Sequence, residues 1–182
     1  MTNIKRYLIK TVISNFQKEE LVHYTATDPE IQKNTSDWRS PDGKPGRFSS
    51  LSTVNSWLEE GRVVYILSDL TGNLAGIIWF GKKSIDKNKY SITQDIVAKY
   101  QTTLGIRLYG KARGQKLSKP FLLEAIARHM RKLKLVQLPL WLEVHTNNMK
   151  ALHVYTDIGF HQVATSPDKT QVLLLAEVSG KL

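Results

Sequence analysis

Two spacings of apolar residues alternate along this chain. Near the start, IKRYLIKTVI (4–13) alternates loosely and reads as a strand, whose successive side chains face opposite ways. SNFQKEELVHYTA (14–26) follows with Phe16, Glu20 and Tyr24 at helical spacing behind Ser14, a residue suited to capping a helix start. The stretch TSDWRSPDGKPGRFSS (35–50) is rich in Ser, Pro, Gly and Asp and reads as a loop, with Trp38 and Phe48 as apolar groups needing cover. LSTVNSWLEEG (51–61) is a second helix that ends at Gly61.

VVYILSD (63–69) and LAGIIWFGKK (74–83) are β-branched and aromatic runs joined by LTGN, the pattern of a hairpin. TTLGIRLY (102–109) is a further strand, and the polar turn GKARGQKLS (110–118) leads into a helix, KPFLLEAIARHMRKLK (119–134). Leu122, Ala125, Ile126, Met130 and Leu133 form its apolar face, and Pro120 suits its first turn. LPLWLEVHT (138–146) is a strand and NNMKALHVYTDIGF (147–160) a short helix. Asn147 or Asn148 caps that helix, Ala151, Leu152, Tyr155 and Ile158 share a face, and Gly159 ends it. FHQVAT (160–165) and TQVLLLAEV (170–178) flank SPDK as a second hairpin. The pattern predicts an α/β (α+β) protein with a mixed, largely antiparallel, twisted sheet of about six or seven strands and helices on both faces.

At 182 residues, with no repeat or linker, one domain spanning 1–182 is expected. The absence of cysteine excludes disulfides, thiolate metal sites and cysteine nucleophiles, and the five histidines show no metal-ligand spacing, so no metal is expected. The charged N-terminus does not resemble a signal peptide and no run is long enough to span a bilayer. A soluble, cytoplasmic protein without a membrane partner is expected.

The net charge of +10 is concentrated: residues 82–134 hold 14 basic and three acidic groups, while 1–81 hold nine of each. Such a block attracts anions. Lys82, Lys83, Lys87 and Lys89 read as solvated loop charges. No aromatic platform or zinc finger accompanies the block, so nucleic acid is not an expected partner.

Gly105, Gly110 and Lys111 match part of a nucleoside-triphosphate P-loop, but Ala112 stands where a magnesium-binding hydroxyl is needed, and Ile106–Tyr109 reads as strand. The alternative is a strand, a turn and a helix start, whose outward N–H groups and positive dipole end suit a pyrophosphate, with Gly114 allowing close approach. An ordinary basic connection has the same pattern.

This turn, with NNMKALHVYTDIGF about thirty residues later, resembles the GNAT superfamily of acyl-CoA-dependent N-acyltransferases. Against its motif Q/R-x-x-G-x-G/A, Arg113 takes the first position, Lys116 stands where the first motif glycine is usual, and Ser118 where Gly or Ala is usual. Asn148, Tyr155, Gly159 and Phe160 match its second motif, and the element order resembles the family over nearly the whole chain.

The resemblance implies an N-acetyltransferase that moves an acetyl group from acetyl-CoA to a primary amine by direct attack. Its cofactor residues would be Ile106, Leu108, Gly110, Lys111, Arg113, Gly114, Gln115, Lys116, Leu117, Ser118, Lys119 and Asn148. In that frame 106–110 runs beside the pantetheine, the Leu108 N–H polarises the thioester carbonyl, 113–118 offers N–H groups to the pyrophosphate, Lys111, Lys116 and Lys119 reach the adenosine phosphates, and Asn148 bonds the pantetheine. Tyr155 matches the family's general acid, with core packing as its other reading. The motif strand lacks the usual glutamate, which leaves Glu143 and His145 as base candidates, or as surface residues. The acceptor would be a small-molecule or a peptide or protein amine; eight acids against six bases in 15–62 favour a cationic one. A homodimer is one assembly allowed. The departures at Lys116 and Ser118 leave a second possibility, a catalytically silent domain that binds acyl-CoA or a protein partner.

Overall fold

The computed structural model describes residues 6–35, 37 and 43–179, without the side chain of Lys111. In chain order the elements are β1 (Tyr7–Lys10), α1 (Asn15–Thr27), α2 (Pro29–Asn34), α3 (Leu51–Glu59), β2 (Val63–Asp69), β3 (Leu74–Lys82), α4 (Lys87–Tyr90), α5 (Gln94–Lys99), β4 (Thr102–Leu108), α6 (Ser118–Leu133), β5 (Gln137–His145), α7 (Met149–Thr156), β6 (His161–Thr165) and β7 (Gln171–Ser179). The strands form one unclosed, mostly antiparallel sheet of seven, in the order β1-β2-β3-β4-β5-β7-β6. The predicted fold class is the observed one. No helix among the described residues is long and apolar enough to cross a membrane.

The described residues fall into two compact units, 6–79 with 107–115 and 80–106 with 116–179. In the first, Ser14 closes a capping box on α1: its hydroxyl accepts from the Gln17 N–H at 3.2 Å, and the Gln17 side chain accepts from the Ser14 N–H at 3.2 Å. Leu21, Phe48, Val54, Trp57, Ile77 and Trp79 belong to its core. Phe48 is fully buried there, as its loop position demanded, whereas Trp38 lies outside the described residues. The β2–β3 turn is drawn together by Asp69, whose carboxylate accepts from the N–H groups of Thr71 and Asn73.

In the second unit α6 buries Leu122, Ala125, Ile126 and Met130, as the helical spacing predicts. Leu133, placed on that face by spacing, is exposed in the last turn. His129 is buried with them and stacks on Phe80, centroids 4.1 Å apart. Strand β7 pairs along the whole length of β5, from Gln137 opposite Ser179 to His145 opposite Gln171. The parallel ladder between β4 and β5 is only two pairs long, Thr102 opposite Leu140 and Thr103 opposite Trp141.

The short helices α2, α4 and α5 were not predicted by the hydrophobic pattern. Asp residues start two of them, Asp28 accepting from Glu30 N–H and Asp86 from Asn88 N–H, both at 3.0 Å.

Candidate active site

Gly105–Leu108 lies within β4, so the P-loop frame fails on backbone geometry: a regular strand cannot wrap phosphates. The chain leaves β4 through Tyr109, fully buried and stacked on Tyr24 at 4.8 Å, and makes a 3-10 turn over Gly110–Ala112. Gly110 has φ 47°, and a Cβ there would stand 3.3 Å from the Tyr24 hydroxyl, so glycine serves both conformation and space. Arg113 folds back over the turn. Its Nε donates to the Leu108 carbonyl at 2.8 Å and a terminal nitrogen donates to Asp28 Oδ1 at 2.7 Å. The Arg113 N–H is also taken, by the Gly110 carbonyl at 3.2 Å. The expectation that this N–H faces a pyrophosphate is therefore not met; the residue locks the turn.

Beyond it Gly114 (φ 74°) and Lys116 (φ 57°) are both left-handed. Leu117 returns to the right-handed region (φ −81°, ψ −19°) and is buried as the first residue of the α6 start. Alternation of hand turns successive N–H groups toward one concave side, the arrangement that cradles anions. No side chain caps α6, and the first helical bond inside it is Phe121 N–H to the Leu117 carbonyl at 3.0 Å. The N–H groups of Ser118 and Lys119 precede that bond and carry the positive end of the helix dipole. Lys119 Nζ lies 3.3 Å from Asp157 Oδ2, an exposed pair that holds its ammonium only weakly. The side chain of Lys111 lies outside the described residues.

Strand β5 brings Glu143 and His145 to one face, two residues apart. Glu143 is half-buried and committed: Lys89 Nζ and the Tyr90 hydroxyl each donate to its Oε1 at 2.7 Å, and Lys89 Nζ also reaches Gln171 Oε1 at 2.5 Å. Burial pushes the Glu143 carboxyl up, but the hydrogen bonds from Lys89 and Tyr90 and the charges of Lys89 and Lys83 outweigh it, and the net shift is downward. The Tyr90 phenol moves the other way, raised by burial and by the same hydrogen bond. Lys89 is thus a buttress of Glu143 rather than a solvated loop charge. His145 is partly buried, and its carbonyl accepts from the Asn148 N–H at 2.9 Å.

Asn148, not Asn147, caps α7, its Oδ1 accepting from the Ala151 N–H at 3.2 Å. Of the expected apolar face only Tyr155 is buried; Ala151, Leu152 and Ile158 are half-covered. The helix closes with the Phe160 N–H on the Tyr155 carbonyl and the Gly159 N–H on the Thr156 carbonyl, both 3.0 Å, and Gly159 at φ 97°. That left-handed close brings the Phe160 ring within 5.6 Å of the Tyr155 ring.

No protein-family model matches the chain, and no curated protein matches it. Solved structures do. The dodecameric spermidine N-acetyltransferase of Vibrio cholerae superposes with a TM-score of 0.61 at 12% identity, over 97% of this chain and 95% of that one. Its complex with CoA and spermine gives 0.61 at 13%, over 97% and 96%. An uncharacterized protein of Bacillus halodurans gives 0.64 at 15%, over 94% and 83%. The chain has the GNAT fold.

Lys116, which stands where the resembled motif has glycine, takes a left-handed backbone conformation. Ile106 and Leu108 are half-buried on β4, Gly114 is exposed, and Gln115 Oε1 accepts from the Tyr7 hydroxyl at 3.4 Å. Sequence reasoning missed two groups. Asp28 anchors Arg113 from 85 residues away. Asp37, fully buried, meets two arginines, Arg47 Nε at 3.0 Å from Oδ1 and Arg107 Nε at 2.9 Å from Oδ2. An aspartate in a polar loop carries no local mark of such a role. An arginine within a strand, Arg107, was the available signal, since a half-buried guanidinium calls for a carboxylate.

Proposed function

We propose that this chain is a single acetyltransferase domain over 1–182 that transfers an acetyl group from acetyl-CoA to a primary amine by direct attack. The observation that carries the reading is the left-handed Lys116, standing at the family's glycine position directly before an uncapped helix start. The neighbouring structures support it: one GNAT-fold protein is an N-acetyltransferase in complex with CoA and spermine.

Acetyl-CoA, when bound, supplies an activated thioester. The N–H groups from Gly114 to Lys119 bind its pyrophosphate, with Lys116 and Lys111 as charge partners, while Arg113 holds the turn in shape. The residues of 106–110 line the pantetheine, and the Leu108 N–H donates to the thioester carbonyl, where negative charge develops. Asn148 fixes the start of α7 and its side-chain amide faces the pantetheine. His145 takes the surplus amine proton as the nitrogen bonds to the carbonyl carbon. Glu143 is not given that role, because its carboxylate is already held ionised by Lys89 and Tyr90. As the C–S bond breaks, the Tyr155 hydroxyl gives a proton to the departing sulfur.

The test is calorimetric titration with acetyl-CoA beside ATP with magnesium, followed by thiol release with a panel of amines for the wild type, His145→Gln and Tyr155→Phe. Acetyl-CoA binding with ATP silent, and turnover lowered about 100-fold or more by either substitution, is the expected result. Binding without turnover of any amine identifies a silent acyl-CoA-binding domain, and no binding of acetyl-CoA refutes the reading.

A further inference from the structure

The Asp37 cluster lies wholly within the first unit and has no part in the reaction as assigned above. Arg47 is fixed on two sides. Its Nε is paired with Asp37, and its guanidinium carbon lies 5.9 Å from the centre of the Phe48 ring and 5.5 Å from that of Trp79. Arg107 lies over the same Trp79 ring at 5.2 Å and holds the other oxygen of Asp37. Arginine carries five N–H donors in a rigid fork, and the ion pair with Asp37 is made at the inner nitrogen of Arg47, without a hydrogen bond to Oδ1. The outer edge of that fork, on a side chain 37% exposed, is the half that binds carboxylates in two parallel bonds. The aromatic cluster beneath holds another donor without an acceptor, the buried Trp57 Nε1–H, with the Trp57 ring 4.8 Å from Phe48.

Among the described residues, the two carboxylates whose charge acts on Arg47, Asp37 and Glu60, are both paired with arginines. Of the eight acids counted in 15–62 as favouring a cationic acceptor, four are engaged: Asp28 with Arg113, Asp37 with two arginines, Glu60 with Arg62, and Glu20 with the Leu74 N–H at 2.7 Å. A half-buried arginine pre-set by a carboxylate and two rings is organised for an anion, since its side-chain ordering is complete before any ligand arrives.

We propose that Arg47 binds a carboxylate of the acyl acceptor, so that the substrate amine belongs to an amino-acid-like molecule and not to a polyamine. This rests on the acetyltransferase reading for one link, the neighbour of Arg107 on β4: Leu108, whose N–H is assigned to the thioester. Asp37 is a positioning residue in this scheme, Arg47 a binding one.

Two readouts separate the ideas. The first needs no catalysis: the indole N–H signals of Trp57 and Trp79 are followed by NMR while N-acetylglycine or its carboxamide is added. Saturable shifts with the acid alone, lost in Arg47→Gln and weakened about tenfold or more in Arg47→Lys, which keeps the charge without the fork, are expected. The second is thiol release from acetyl-CoA with glycine, glycinamide and spermidine, where Arg47→Gln raises KM for the acid and leaves calorimetric acetyl-CoA affinity unchanged. Equal response to acid and amide, or a response indifferent to Arg47, overturns the site. Arg47-dependent carboxylate binding by a protein that ignores acetyl-CoA overturns the enzymatic reading and leaves the anion site standing.

Discussion

Lys116→Gly should make this protein more stable, although it removes a charged side chain from a basic turn. Lys116 sits at φ 57°, where an L residue pays about 1–2 kcal/mol because its Cβ crowds the following carbonyl. Glycine pays nothing there, but a freer unfolded chain returns about 0.5–1 kcal/mol of the gain. The side chain is exposed and little packing is lost, so the net is a stabilisation of about 0.5–1 kcal/mol. For a chain of this length 1 kcal/mol moves Tm by about 2–4 °C. Lys116→Ala keeps the Cβ and its strain and should stay within about 0.5 kcal/mol of wild type. Urea and thermal unfolding of the three proteins measure the difference. Because glycine preserves the path of the backbone, acetyl-CoA affinity should fall by no more than about fivefold, the worth of one exposed charge. A glycine variant no more stable than the alanine one would refute the strain argument, and a collapse of acetyl-CoA binding in the glycine variant alone would refute the claim that conformation at this position serves the cofactor.

Glu143→Gln should cost about 1–3 kcal/mol in unfolding, because Lys89 and Tyr90 lose their charged acceptor, and wild-type stability should decline as pH falls below the ordinary glutamate value of about 4.5 and through the depressed one. Equal stability at neutral pH would return Glu143 to the list of bases. His129, whose pKa burial and then Lys132 lower to about 4, binds its proton more weakly folded than unfolded; stability is unaffected above about pH 6.5 and falls by roughly 3 kcal/mol on going to pH 4, a slope that His129→Leu should abolish in denaturant titrations. Asp37→Ala leaves Arg47 and Arg107 without their shared carboxylate and should destabilise by about 3–5 kcal/mol in urea unfolding, whereas Asp37→Asn, which keeps an acceptor oxygen for the Arg107 Nε, should cost less.

What was legible in the sequence had its cause nearby in the chain. The β2–β3 hairpin is two apolar runs and a four-residue turn, and the cap at Ser14 acts on Gln17, three residues on. Gly159 and Phe160 announced the end of α7 for the same reason. The short helices α2, α4 and α5 cover no more than six residues apiece, too few for a helical period to show, and α4 reads as a cluster of lysines. The roles of Glu143 and Asp37 were illegible because Lys89 and Arg107 stand 54 and 70 residues away from them. Composition suggested an acidic acceptor side; pairing, which composition does not contain, engages half of its eight acids.

The first unit is assembled from two separated pieces of chain, and the bonds from Asp28 to Arg113 and from Asp37 to Arg107 join them. On a ribosome adding roughly 5–20 residues per second, its amino-terminal piece must wait seconds, with two of the four ion pairs among its described residues and the Tyr109 ring still unmade, before it can finish folding. Domain-by-domain completion during synthesis is therefore closed to it. Any truncation that stops at the end of β3 should yield a chaperone client, not a smaller protein.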